Sequence, residues 1–156
     1  MENEKITIEK VSKENYHMFD DMVAWRISGV ERSVEEKKLN KQTVFSDAYI
    51  QLGQQGFYAF AAKVEGRYVG WITMILTPKI GKWHRGIVYV DEVWTAPVYR
   101  RKGVAFALMQ KAFDVANETN AVKVRLYTDN IPAQRLYEKC GFKVTNHAVF
   151  MESNEG

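Results

Sequence analysis

Two apolar runs, Phe57 to Val64 and Arg67 to Thr77, flank the pair Glu65-Gly66 and are rich in aromatic and β-branched residues. Side chains of this kind favour extended backbone, and a two-residue link ending in glycine suits a tight turn, so the segment predicts a long β-hairpin. A polar loop, Pro78 to Gly86, holds Trp83 and His84, and Ile87 to Thr95 reads as a third long strand. After Ala96-Pro97 the period changes. Val104, Leu108, Met109, Ala112, Phe113 and Val115 recur at helical spacing, and Asn117 or Asn120 is placed to end that helix.

Helices also precede the hairpin. Ile6, Ile8 and Val11 suggest a short first strand, and Ser12 stands where it would cap a helix running to about Ile27. Tyr16, Met18, Phe19, Met22, Val23, Trp25 and Ile27 give that helix a broad apolar face. Ser33 to Asn40 reads as a short exposed helix and Ser46 as the cap of another, with Gly53 and Gly56 closing the section. Downstream, Val122, Val124 and Leu126 alternate as a strand, and Asn130 and Pro132 open a short helix that Gly141 closes. Phe142 to Val144 and His147 to Met151 predict a final pair of strands.

With 156 residues the chain has room for one ordinary domain, expected over 1–156. Hydrophobic residues at 46% and charged residues at 26% exclude the composition of a disordered chain. The formal charge of +3 is spread along the chain with no basic stripe, so nucleic acid is not implied as a partner. The start, Met1 to Lys5, lacks the apolar stretch of a secretory signal, and Cys140 is alone. A cytoplasmic location is the expectation. Tyr68 to Leu76 falls well short of the ~20 apolar residues a spanning helix needs, so no membrane partner is expected.

The segment Val93-Trp94-Thr95-Ala96-Pro97-Val98-Tyr99-Arg100-Arg101-Lys102-Gly103-Val104-Ala105 joins a strand to a helix through a basic, glycine-containing loop. The first N–H groups of a helix lack intrahelical partners and lie at the positive end of its dipole, which suits an anion. Gly103 allows close backbone approach, Ala105 avoids obstruction, and Arg100, Arg101 and Lys102 add charge suited to a diphosphate. Neither a P-loop nor a dinucleotide fingerprint is present, which weighs against nucleotide hydrolysis and hydride transfer.

Arg100-x-x-Gly103-x-Ala105 resembles the Arg/Gln-x-x-Gly-x-Gly/Ala loop of the GNAT acetyltransferases. One helix and one strand later, Asn130-Ile131-Pro132-Ala133-Gln134-Arg135-Leu136-Tyr137-Glu138-Lys139-Cys140-Gly141-Phe142 is similar to that family's Asn-x-x-Ala-x-x-Leu-Tyr-x-x-x-Gly-Phe segment. The resemblance is specific from about Tyr89 to Phe142. It implies an α/β (α+β) fold, the GNAT acyl-CoA N-acyltransferase fold, whose mixed, mostly antiparallel sheet is splayed around the cofactor and flanked by helices. It further implies acetyl-CoA as co-substrate and an amine acceptor of small-molecule, peptide or protein origin. A homodimer is the oligomeric state the family suggests.

By the same resemblance, backbone groups of Val93 and Thr95, with Trp94 between them, line the pantetheine arm. Arg101, Lys102, Gly103, Val104, Ala105 and Phe106 wrap the pyrophosphate, and Asn130 and Ala133 approach from the other side. Tyr137 falls on the family's tyrosine, which would protonate the leaving thiolate. Direct attack by the amine needs no covalent intermediate, and Cys140 has no sequence-adjacent histidine to activate it. Val93 N–H is the expected oxyanion donor.

Asp91 and Glu92 lie where several GNAT enzymes carry a base for the acceptor amine. Strand alternation points only one of them at the cleft, unless a bulge alters the parity. His17, His84 and His147 have no metal-ligand spacing, so no metal site is expected. A non-catalytic acyl-CoA sensor or structural module of the same fold is the alternative function. The resemblance also implies that Glu31, Glu35 and Glu36 border the acceptor cleft, where as a free acidic cluster they would favour cationic amines. Otherwise Trp25, Phe45 or Trp83 would supply selectivity through apolar contacts.

Overall fold

The computed structural model describes residues 5–81 and 83–153. In chain order the elements are β1 (Ile6–Lys10), α1 (Tyr16–Ser28), α2 (Val34–Asn40), α3 (Ser46–Leu52), β2 (Phe57–Val64) and β3 (Arg67–Thr77). They continue with β4 (Ile87–Thr95), a 3-10 turn (Pro97–Tyr99), α4 (Val104–Glu118), β5 (Val124–Arg125) and α5 (Ile131–Lys139). The five strands form one sheet in the order β1-β2-β3-β4-β5. Neighbours among the first four are antiparallel, and β5 joins β4 in parallel. The predicted hairpin forms with the expected bounds, turning through Glu65 and Gly66, both at positive φ.

β3 is central in the sheet and is covered on both faces, which accounts for its unbroken apolar run. Trp71 belongs to the α1 side, where its ring lies 5.1 Å from Phe19 and 5.0 Å from Trp94. Gly70 belongs to the α4 side. A Cβ there would sit 3.0 Å from Val104 Cγ1 and 2.8 Å from the Trp94 carbonyl oxygen, so only glycine lets α4 begin this close to the sheet. Val104, Leu108, Met109, Ala112 and Val115 are then sealed beneath α4. Each large side chain so buried contributes about 1.5–3 kcal/mol.

Several local expectations are corrected. α1 is preceded not by a Ser12 cap but by a turn that Asn15 organises: Ser12 N–H donates to Asn15 Oδ1 at 2.7 Å, and Asn15 Nδ2 donates to the Lys10 carbonyl at 3.0 Å. Ser46 is the first residue of α3 and makes no cap bond. Ile27 points outward at 80% exposure, off the face that buries Met22 and Trp25. The strand expected over Val122 to Leu126 contracts to Val124–Arg125, paired only with Val88 and Tyr89.

No strands form over Phe142 to Val144 or His147 to Met151. Phe142 turns inward against Phe113 at 5.5 Å, while Val149, Phe150 and Met151 are more than four-fifths exposed. Alternation favours a strand only where a neighbouring ladder receives it, and β5 offers two residues. Among the described residues no helix is long and apolar enough to cross a membrane.

Candidate active site

The basic loop takes a conformation its glycine makes accessible. Arg101 and Gly103 both adopt positive φ, 64° and 87°, and Gly103 becomes the N-cap of α4 with no side-chain cap bond. No acidic residue occupies the first turn, and the first intrahelical bond runs from Ala107 N–H to the Gly103 carbonyl at 3.0 Å. The N–H groups of Val104, Ala105 and Phe106 are therefore left without helical acceptors. Arg101 and Lys102 are exposed beside them, and Lys102 Nζ lies 5.5 Å over the Tyr99 ring. Arg100 is tied back, its Nε donating to the Thr95 carbonyl at 3.1 Å. The Val104 side chain is buried, so its part in an anion site is its N–H alone.

β4 carries a free edge next to this loop. β5 pairs with it only at Val88 and Tyr89, and the ladder ends at that rung. Ala96 N–H donates to the Val69 carbonyl at 2.8 Å, whereas the Thr95 carbonyl turns away from β3 to Arg100. Because peptide direction alternates along a strand, Val93 shares the outward direction of Thr95. Trp94 is corrected on this point. Its carbonyl faces Gly70 of β3, and its indole packs at 5.8 Å from Trp25 in the core. Thr95 Oγ1 is buried with no hydrogen-bond partner, an orphan polar atom on the strand that enters the loop.

The Asp91-Glu92 parity is set by a bulge. Thr73 pairs with Glu92 and Met74 with Val90, leaving Asp91 without a partner on β3. Both carboxylates are exposed. Glu92 is 3.6 Å from Arg26 of α1, whose guanidinium also lies 5.5 Å over the Trp71 ring. Asp91 has no ion pair among the described residues. Trp71 Nε1 and Thr73 Oγ1, on the same face as Glu92, are buried without partners.

α5 positions Tyr137. Asn130 is its N-cap, with Oδ1 accepting from Ala133 N–H at 2.8 Å, so the Asn130 oxygen is occupied within the helix. Gly141, at φ 99°, ends it. Tyr137 is half-buried, 6.2 Å from the Phe142 ring, and its hydroxyl has no hydrogen-bond partner among the described residues. Burial, with Cys140 adding a smaller effect, raises its pKa, so the phenol stays protonated at neutral pH. Burial also raises the Cys140 thiol, the opposite of what a nucleophile needs.

The acidic cluster is not free. Glu31 pairs with Lys37 at 2.7 Å and with Arg67, and Glu36 is spent in a capping box with Ser33. Burial opposes ionisation of Glu31, but Lys37 and Arg67 outweigh it and hold the carboxyl below its ordinary value. Only Glu35 remains unpaired among the described residues, so neutralisation removes the expected attraction for cations. Trp25 is buried. Lys123 Nζ covers Trp83 at 4.9 Å. Among the described residues no cluster of three or more His, Cys, Asp or Glu could hold a metal.

Arg26, Arg67, Tyr89, Arg125 and Tyr127 escaped the sequence reading. Each gains its place from a partner on another strand or helix, and the only sequence signal was that Arg125 and Tyr127 share a strand face.

An uncapped helix start thus lies beside an open strand edge, on a strand whose bulge carries two carboxylates. The acetyltransferase (GNAT) family model matches residues 20–142, and the chain belongs to that family. No curated protein matches it in sequence. Among solved structures it is similar to an aminoglycoside acetyltransferase from an uncultured soil metagenomic sample, solved with trehalose. That match has 15% identity, 97% coverage of each chain and a TM-score of 0.78. It is also similar to AAC(6')-Iy in complex with a CoA-S-monomethyl-acetylneamine bisubstrate analogue (14% identity, 96% and 99% coverage, TM-score 0.74). A third is a ribosomal-protein-alanine N-acetyltransferase from Brucella melitensis biovar Abortus 2308 (19% identity, 96% and 100% coverage, TM-score 0.71). At these identities the likeness is one of fold.

Proposed function

We propose that this chain transfers an acetyl group from acetyl-CoA to a primary amine by direct attack in a ternary complex, acting as a single cytoplasmic domain. The observation that carries the reading is the uncapped start of α4 set beside the free β4 edge. The N–H groups of Val104, Ala105 and Phe106, backed by Arg101 and Lys102, suit a diphosphate. The outward peptides of Val93 and Thr95 suit an extended amide-bearing arm, and the Val93 N–H is the oxyanion donor. Asn130, occupied as a cap, and Ala133 border the other side.

Acetyl-CoA supplies the activated thioester. The acceptor ammonium must lose a proton before it can attack, and Asp91, the freer of the two bulge carboxylates, takes it through water while Glu92 is steadied by Arg26. Tyr137 Oη delivers a proton to the departing sulfur, and its raised pKa keeps that proton in place until it is needed.

The test is a panel of primary amines assayed for free thiol released from acetyl-CoA, with cofactor affinity measured separately by calorimetry. Acetyl-CoA binding with amine-dependent thiol release is the expected result. Tight binding without release from any amine would instead favour an acyl-CoA sensor or structural module. Relatives described as acting on aminoglycosides and on a ribosomal protein span unlike acceptors, so acceptor choice must rest on this chain's own residues.

A further inference from the structure

Glu92 and Tyr89 are three residues apart and would occupy opposite faces of a regular strand. The bulge at Asp91 brings them to the same face, because their β3 partners are Thr73 and Ile75, two residues apart. This is the face on which α1 packs, marked by Trp71 and Trp94. α1 reaches Glu92 through Arg26, and past that point the face opens: Ile75 is 45% exposed and Tyr127 67% exposed.

Arg125 stands on β5 directly beside Tyr89, in the last rung of the β4–β5 ladder. Its Nη1 donates to Tyr89 Oη at 2.6 Å, and its guanidinium carbon lies 5.3 Å over the Tyr89 ring. Tyr127 stacks on Tyr89 at 6.2 Å with 17° between the planes. No carboxylate pairs with Arg125 among the described residues. A half-buried guanidinium whose polar contact is a neutral phenol keeps donors to spare for a planar anion. Burial opposes ionisation of Tyr89, yet Arg125 and Lys79 together bring its pKa below the ordinary value.

We propose that Arg125, framed by Tyr89 and Tyr127, binds a carboxylate of the acceptor, which is therefore an amine that also carries an acidic group: a free amino acid or an acidic peptide. This rests on the acetyl-transfer reading for the fate of the amine. The β3 partners of Tyr89 and Glu92 are two positions apart, so the anion site lies about 7 Å along the sheet from the bulge carboxylates. A zwitterionic acceptor fits that spacing, with its ammonium toward Asp91 and Glu92 and its carboxylate on Arg125. Opposite charges at the two ends also fix which way round the acceptor lies.

The experiment measures equilibrium binding by calorimetry to the CoA-loaded protein, which cannot turn over. The probes are amino acids and glutamate-containing tripeptides, each beside its carboxamide counterpart. The carboxylate member should bind about 10- to 100-fold tighter, as a charge-assisted, two-pronged contact implies. Arg125→Gln should collapse that ratio to near one. Arg125→Lys, which keeps the charge but not the fork, should retain part of it, and melting curves verify that both variants fold. The free amino acids and the tripeptides tell the two sources apart. Equal binding of carboxylate and carboxamide across the panel, or a ratio unchanged in a folded Arg125→Gln protein, overturns the proposal. If the preference holds but acetyl-CoA yields no thiol release with the preferred ligand, the anion site stands and the transfer reading fails.

Discussion

The basic loop before α4 and the charged cluster around Arg67 are built in opposite ways. From Arg100 to Phe106 the site is contiguous chain, and its chemistry comes from backbone: two left-handed residues, an uncapped helix start and a strand edge. The charged cluster joining α1, α2 and the start of β3 is assembled from side chains far apart in sequence. Arg67 reaches Glu31 and lies 5.8 Å from both the Trp25 and Tyr99 rings, and Arg32 holds Asp20 and Asp21 at 2.8 and 2.9 Å. A site made of backbone tolerates loss of a side chain and suffers from a change of backbone preference. A site made of long-range side-chain contacts behaves the other way.

The largest effect should come from Tyr137, which in the proposed mechanism supplies chemistry rather than affinity. Tyr137→Phe should lower kcat by roughly 10²- to 10⁴-fold while the acetyl-CoA dissociation constant stays within a few-fold. Full turnover in that variant would pass the proton to water and remove α5 from the catalytic side. Gly103→Val strikes the backbone of the loop. A β-branched residue at φ 87° costs about 1–2 kcal/mol in the left-handed region, and the helix start must shift to relieve it. Acetyl-CoA affinity should therefore fall by about tenfold or more in calorimetry. An unchanged affinity would break the comparison at its cofactor end.

Removing charge from the same loop should matter less. Arg101→Ala is expected to cost about 1–2 kcal/mol of acetyl-CoA binding, because the N–H donors and Lys102 remain. The loss should shrink as salt rises, with no change in melting temperature. Arg67→Met gives the mirror result: acetyl-CoA binding within about threefold, and a stability loss of about 1 kcal/mol, since this network is partly exposed. If the variant instead weakened cofactor binding, its contact with Tyr99 would join the two sides into one unit.

The smallest effect is acid sensitivity. Glu31 has a folded pKa depressed below its ordinary 4.5, so its stabilising contribution is present above that value and is lost as pH falls through the folded pKa. Glu31→Gln should flatten that part of the stability curve below about pH 4.5 in denaturant titrations. A curve that falls as steeply without Glu31 would assign the acid sensitivity to other carboxylates.

Sequence reasoning succeeded where local preference and tertiary demand agree. The β2–β3 hairpin, β4 and the start of α4 appear with the expected bounds because their periodicity, turn residues and glycine positions act within a few residues of one another. The helix start at Gly103 and its neighbouring cations were legible for the same reason, being adjacent in the chain. The C-terminal segment shows the limit: alternation in Phe142 to Met151 was real, but no ladder stands ready to receive it.

The sequence by itself determined the order of elements, the anion-ready loop and the family, because these depend on short-range steric and dipolar preferences. Only the tertiary structure decided what β4 and the acidic cluster present. There a single unpaired residue, Asp91, changes the parity of β4, so that Tyr89 and Glu92 share a face, while Glu31 is neutralised from two other elements. Parity and charge pairing depend on which strand or helix lies alongside, and that is fixed only when the sheet and its covering helices have packed.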